Sequence, residues 1–356
     1  MTLTADEILA LPKVVLHDHL DGGLRPSTLI ELAAEIGHEL PSTDPEELAR
    51  LFKDNAGSGD LVRYLEAFAH TTAVMQSASN LRRVAREAVL DLAADGVIYA
   101  ELRYAPEQHV SGGLSLQEVV EAVQSGIEEG VSEALEAGFA IRAAAILDAM
   151  RHLDRSVEIA ELALANRGRC CVAFDIAGPE LGFPASRHRE AFALLREHHM
   201  PVTIHAGEAD GAESVGEALG LGSARRIGHG VRIHEDIEGF GGEELVLGVI
   251  AQHALDLQIP LEVCPTSNVQ TAAASSIADH PMHELRNLGF AVTVNTDNRL
   301  VSGVSMSSEF AALVEVGWDK EDLFEATLAA AWGAFLPYDE KADLAELVIE
   351  GYGIEL

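Results

Sequence analysis

The sequence predicts an α/β protein built as a closed (β/α)8 barrel of the TIM type, with a helical insertion after the first strand. Three observations carry that expectation. Eight short apolar, β-branched runs recur along the 356 residues, most of them separated by longer amphipathic segments. No G-x-G-x-x-G follows the first run and no Walker sequence is present, so an open dinucleotide- or nucleotide-binding sheet lacks its usual mark. Imidazole and carboxylate residues also gather at the ends of four runs, which is where barrels of this type carry their chemistry.

Taken in order, the runs are KVVLHDHL from Lys13, VIYAELRY from Val97, AIRAAAIL from Ala140, CVAFDIAG from Cys171, VTIHAGE from Val202, RRIGHG from Arg225, PLEVCP from Pro260 and AVTVNTD from Ala291. Segments such as LQEVVEAVQSGIEEGVSEAL and EAFALLREHH supply the crossover helices between them. A barrel needs roughly 250 residues, which leaves roughly 100 for additions. Most of the excess lies at residues 26–95, where RPSTLIELAAEIG and NLRRVAREAVLDLAA stand in place of a single crossover helix. Following a strand, that insertion belongs over the barrel mouth as a lid. DNAGSGD, residues 54–60, reads as a flexible loop within it. With no long linker or internal repeat, residues 1–356 read as one domain.

Charge narrows the partners. With 58 acidic against 24 basic residues, the formal net charge of −34 repels nucleic acid and anionic membrane surfaces alike. No apolar run approaches the roughly 18 residues of a membrane span. The start, MTLTADEILALPK, lacks the basic-then-apolar order of a secretory signal, and three cysteines, two of them adjacent, suggest no disulfide framework. A cytoplasmic protein acting on a small molecule is expected.

The first run ends in His-Asp-His. Side chains alternate along a strand, so His17 and His19 share one face and Asp18 takes the other. Alone, such a pair is as readily two polar residues at a strand end. The fifth run, however, ends in His205 and Glu208, the sixth in His229 and the eighth in Asp297 and Asn298, with Asp21 just past the first. That convergence points to a metal site of His17, His19, His205 and Asp297, with water completing the shell. One zinc per chain suits three imidazoles and a carboxylate, although iron, manganese or cobalt could take similar ligands. Zinc lowers the pKa of a bound water from 15.7 to about 7, so the reaction class is hydrolysis. His229 is then placed to orient or deprotonate the attacking water, and Glu208 to donate a proton from a partly dry mouth. The pairs His198, His199 and His280, His283 lie away from the strand ends and are expected at the surface.

In this order, LHDHLDGGLRP, DIAG, TIHAGE, RIGHG, EVCPTSN and NTDN resemble the adenosine deaminase family of metal-dependent barrel hydrolases, from the first strand to the helices beyond Asp297. The resemblance implies zinc on His17, His19, His205 and Asp297. It implies that Glu208 protonates purine N1 and that His229 helps activate the water attacking C6, with loss of ammonia from a tetrahedral intermediate. It further implies that Gly178 contacts N3 through its backbone, that Asp21 binds the ribose 5′-hydroxyl, and that His19 lies beside the ribose. The implied substrates are adenosine and 2′-deoxyadenosine.

One position departs from the family pattern. Where many members read TDDP this chain reads TDNR, so the family's N7-binding aspartate is Asn298 here. N7 is an acceptor, and an amide donates to it at any pH, whereas a carboxyl must first be protonated. Asp21 welcomes a hydroxyl and repels a phosphate, which favours nucleosides over nucleotides. Adenine-specific relatives tend to carry HLEG where this chain has HLDG. The rival readings are a deaminase of adenine or of a 5′-extended adenosine such as aminodeoxyfutalosine, a different barrel metallohydrolase, and a non-catalytic nucleoside-binding relative. A binuclear centre would want a bridging lysine or carboxylate on a middle strand, and FDIAG offers no lysine.

Overall fold

The computed structural model of the chain describes residues 3–57, 61–169, 171–242 and 244–354. Each of the eight predicted runs contains a strand: β1 Lys13–His19, β2 Val97–Tyr104, β3 Arg142–Met150, β4 Cys171–Ala177, β5 Thr203–Ala206, β6 Arg226–His229, β7 Leu261–Val263 and β8 Val292–Val294. They form two four-stranded parallel sheets, β1-β2-β3-β4 and β8-β7-β6-β5. Isolated parallel bridges join the sheets at both edges, Phe174 with Val202 and Asp18 with Asp297. The second is a pair of backbone bonds, His19 N–H to Asp297 C=O at 2.7 Å and Asp297 N–H to His17 C=O at 3.0 Å. That junction brings the end of the first strand beside the end of the last.

Strand burial is continuous and not alternating, as for Val14, Val15 and Leu16, because helices cover one side and strand interiors fill the other. The interior also holds charge. Arg103 donates to Asp175 at 2.8 Å and to Glu262 at 2.7 Å, while Arg226 donates to Glu262 at 2.5 Å and to Glu101 at 2.6 Å. Arg103, Arg226, Asp175, Glu101 and Glu262 are all buried, so each charge requires its partner.

The segment between β1 and β2 carries four helices, and they divide into two groups. After the short helix α1, Ala5–Ala10, come α2 Pro26–Ile36, α3 Pro45–Ala56, α4 Leu61–Val74 and α5 Ala78–Ala94. α3 packs on the turn Arg299–Gly303 that follows β8, and α4 on the turn Leu20–Gly22 that follows β1, which sets both at the C-terminal ends of the strands. α5 instead runs along β2 and along α6, Leu116–Glu136, as an ordinary crossover helix does. Two glycines let α5 and α6 meet closely. A Cβ at Gly126 would stand 2.2 Å from the Arg82 carbonyl, and one at Gly130 would stand 2.7 Å from Val89 Cβ. Of the stretch expected to be a flexible loop, Asp54–Ala56 close α3, and residues 58–60 lie outside the described residues.

An antiparallel pair, Ile237–Glu238 with Val246–Leu247, was not anticipated, since two-residue strands around a glycine-rich turn leave no readable period. Among the described residues, no helix is long and apolar enough to cross a membrane.

Candidate active site and metal centre

Three imidazoles meet at the C-terminal ends of β1 and β5. His19 Nε2 and His205 Nε2 are 3.1 Å apart, and His17 Nε2 and His19 Nε2 each stand 3.4 Å from the same oxygen, Asp297 Oδ1. His17, His19 and His205 form a group that could hold a metal ion, as do His17, His229 and Asp297. Convergence is what the alternation of β1 and the β1–Asp297 bridge produce together.

Other side chains hold the outward atoms of this cluster. His17 Nδ1 is 3.1 Å from Glu262 Oε2, and His205 Nδ1 is 2.8 Å from Asp175 Oδ2. An imidazole that gives its Nδ1 proton to a carboxylate presents the Nε2 lone pair, which is the tautomer a cation requires. Asp297 Oδ2 accepts from Ser267 Oγ at 2.6 Å, leaving Oδ1 toward the histidines. Burial pushes the pKa of His205 down to about 4 and that of His19 well below its usual value, so both imidazoles are neutral at pH 7. Burial opposes the charge of Asp297, but contacts with His17, His19 and His229 outweigh it and hold the carboxyl well below its usual range.

Glu208 and His229 face each other beside the cluster, with Oε2 and Nε2 3.5 Å apart. Burial raises the pKa of Glu208 against the opposing pull of His229. Asn268 Oδ1 accepts from the Cys264 N–H at 3.1 Å, and this fixes the amide so that Nδ2 donates to His229 Nδ1 at 3.0 Å. With Nδ1 accepting from Asn268, the His229 proton sits on Nε2, the atom toward Glu208. Backbone conformation contributes as well: His229 and Asp297 have φ of 63° and 58°, a region costly for residues with a Cβ. Glu180 clamps the loop that carries Glu208, accepting from the backbone N–H groups of Gly207, Glu208, Ala209 and Asp210 at 2.7 to 3.1 Å.

Asp21 lies in the turn after β1, 3.9 Å from His19 Nδ1 and 4.0 Å from His109 Nε2, and burial pushes its pKa up to about 7. Asn298 is buried next to Gly22, where a Cβ would stand 2.0 Å from its Oδ1, so that turn needs glycine. Gly178 follows β4 with φ of 97°, exposing its backbone where a side chain would be strained. All nine residues singled out in the sequence thus lie at the C-terminal strand ends.

The chain matches the adenosine deaminase family model over residues 12–351. The chain belongs to the adenosine deaminase family. It is 52% identical over 350 residues to the adenosine deaminase of Mycolicibacterium vanbaalenii, covering 98% of this chain and 97% of that protein. It is also 52% identical over 354 residues to adenosine deaminase 1 of Streptomyces coelicolor, covering 99% and 89%. Among solved structures it resembles the adenine deaminase of Arthrobacter aurescens at 28% identity and a TM-score of 0.82, over 96% and 98% of the two chains. It likewise resembles the Arabidopsis N6-mAMP deaminase at 26% identity and a TM-score of 0.81, over 97% and 99%.

Several residues at this family site escaped the sequence reading. Glu262 and Asp175, which hold the Nδ1 atoms, lie inside the apolar runs LEV and FDI, where a lone charge was the available signal. Ser267 and Asn268 act only through residues distant in sequence, and nothing local marks them. The surface expectation for His280 is corrected. It is 2% exposed, because its Nδ1 accepts from the Met282 N–H and burial keeps the ring neutral. His283 is half-buried and accepts from Trp318 Nε1, while His198 and His199 are exposed as expected.

Proposed function

We propose that the chain hydrolyses adenosine and 2′-deoxyadenosine to inosine and 2′-deoxyinosine with release of ammonia, as a cytoplasmic enzyme of purine metabolism. The carrying observation is the convergence of three imidazole Nε2 atoms and Asp297 Oδ1 beside Glu208 in a member of the adenosine deaminase family. The donor set fits one zinc ion per chain on His17, His19, His205 and Asp297, whose outward atoms are already engaged. Bound there, zinc supplies a water acidified to a pKa of about 7.

The remaining steps belong to the chain's own groups. Glu208, whose pKa burial raises, gives a proton to purine N1 and makes C6 electrophilic. His229 directs its Nε2 side to the water attacking C6, and the Asn268 bond keeps the ring in that orientation. The water oxygen bonds to C6, the C6–N6 bond breaks as N6 takes up a proton, and ammonia leaves a 6-oxopurine. Gly178 N–H donates to N3, the Asn298 amide to N7, and Asp21 accepts from the 5′-hydroxyl with His19 beside the ribose.

We read the scaffold as a single closed eight-stranded barrel over residues 1–356, supported by the two edge bridges. Its lid is the helical insertion of about residues 26–95, with α2 to α4 as the part over the mouth. The buried thiol of Cys264 fits a reducing compartment. A purine nucleoside is the small-molecule partner, and nucleic acid and membrane are not.

Loss of absorbance near the adenosine band, measured with zinc-loaded protein on adenosine, 2′-deoxyadenosine, adenine and a 5′-extended adenosine, tests the reading. Rapid conversion of the first two is expected. Conversion of the extended analogue or of adenine alone would move the substrate and keep the chemistry. Conversion of none would refute deamination.

A further inference from the structure

At the opposite ends of the strands the molecule opens a cavity of about 1080 Å³. Residues just ahead of the strands line it, including Pro201 before β5, Arg225 before β6 and Pro260 before β7, together with the helix Lys320–Gly333 and the segment leading to Lys341. It shares no lining residue with the site of His17 and Glu208.

Its charge is unusual for this chain. Arg167, Arg225 and Lys341 all line it, and among the described residues none of the three is paired with a carboxylate. Arg167 Nη1 donates to the His198 carbonyl at 2.8 Å and Lys341 Nζ to the Trp332 carbonyl at 2.9 Å, both uncharged partners. Of the other two lining charges, Arg286 pairs with Glu325 at 2.7 Å and also with Asp322 at 2.6 Å, so it is fully engaged by carboxylates. Three cations without a carboxylate partner among the described residues thus line one cavity in a protein of formal charge −34, where carboxylates outnumber bases 58 to 24. Burial lowers the pKa of Lys341, and Arg226 and Arg225 lower it further against the pull of Glu101. Like charges gathered this way are relieved by an anion. Beside them the wall is apolar and open, with Trp332 42% and Leu257 59% exposed.

We propose that this cavity binds a small organic phosphate with a flat ring, its phosphate among Arg225, Lys341 and Arg167 and its ring against Trp332 and Leu257. A carboxylate needs one cation, whereas three suit a dianion. The inference is independent of the deaminase reading.

Pyridoxal 5′-phosphate has both features and an aldehyde that records where it binds. The Lys341 amine adds to the aldehyde carbon, water leaves, and borohydride delivers hydride to the C=N bond, giving a stable secondary amine. The chain has four lysines, Lys13, Lys53, Lys320 and Lys341. Lys13 is buried, and Lys53 and Lys320 are exposed internal references. Mass spectrometry of the full chain is expected to show Lys341 labelled at least about tenfold faster than either reference, a difference of roughly 1.4 kcal/mol. Excess inorganic phosphate should slow only the Lys341 reaction. Arg225→Ser should remove the preference while leaving adenosine turnover unchanged. Labelling of Lys341 no faster than Lys53 and Lys320 would overturn the proposal. So would equal selectivity with pyridoxal, which lacks the phosphate, since that would reflect only a reactive lysine.

Discussion

At the C-terminal strand ends, buried polar groups are left incompletely matched: burial keeps His19 and His205 neutral and raises the pKa of Glu208, and His229 and Asp297 hold a strained backbone. One layer below, Arg103, Arg226, Glu101, Asp175 and Glu262 are as deeply buried but complete one another within 2.5 to 2.8 Å. The two layers touch, because Glu262 and Asp175 serve both. Asp175 Oδ2 faces both Arg103 and His205 Nδ1, and Glu262 Oε2 faces both Arg103 and His17 Nδ1. The comparison teaches that the lower layer is a template: matched charges there fix the orientation of the unmatched ones above.

The largest expected effect separates chemistry from this template. Glu208→Gln should lower kcat by about 10²- to 10⁴-fold, the usual share of a general acid, with metal content and melting temperature unchanged. Steady-state rates and elemental analysis on one preparation check this, and unaltered kcat would remove Glu208 from the reaction.

Arg103→Met attacks the lower layer. It leaves Asp175 and Glu262 short of a buried counter-charge and should cost about 3 to 5 kcal/mol in urea unfolding. Weaker metal binding should accompany that loss, because both carboxylates orient histidines; a loss of stability with metal affinity intact would separate the two layers.

A smaller effect comes from Glu309, which accepts from the Thr266 N–H and whose pKa burial pushes up to about 7. The folded state therefore holds a proton that the unfolded chain releases near pH 4.5. Its contribution is complete below that value and is lost as pH rises to about 7. Glu309→Gln should gain up to about 3 kcal/mol on wild type at pH 8, and the two should converge in acid. Parallel stability curves across that range would show that Glu309 does not titrate with folding.

The smallest expected change is at Asn298. Asn298→Asp should add a limb to the pH profile of kcat/KM, with activity falling as the new carboxyl loses the proton it needs to donate to N7. An unaltered profile would show that Asn298 does not contact N7.

The sequence by itself determined the eight strands and a list of candidate site residues, because apolar runs and their terminal His, Asp and Glu residues are local patterns. It also exposed the Asn298 departure, since that needed only the motif around Asp297. What tertiary structure decided was everything acting across strands. Asn268 and His229 lie 39 residues apart, and Glu262 and His17 lie 245 apart, so no local pattern could pair them. The burial of His280 and the division of the first insertion into α2–α4 and α5 were decided the same way. Arg225 and Lys341, without a carboxylate partner among the described residues, follow suit, because burial and charge matching are properties of neighbours that only folding brings together.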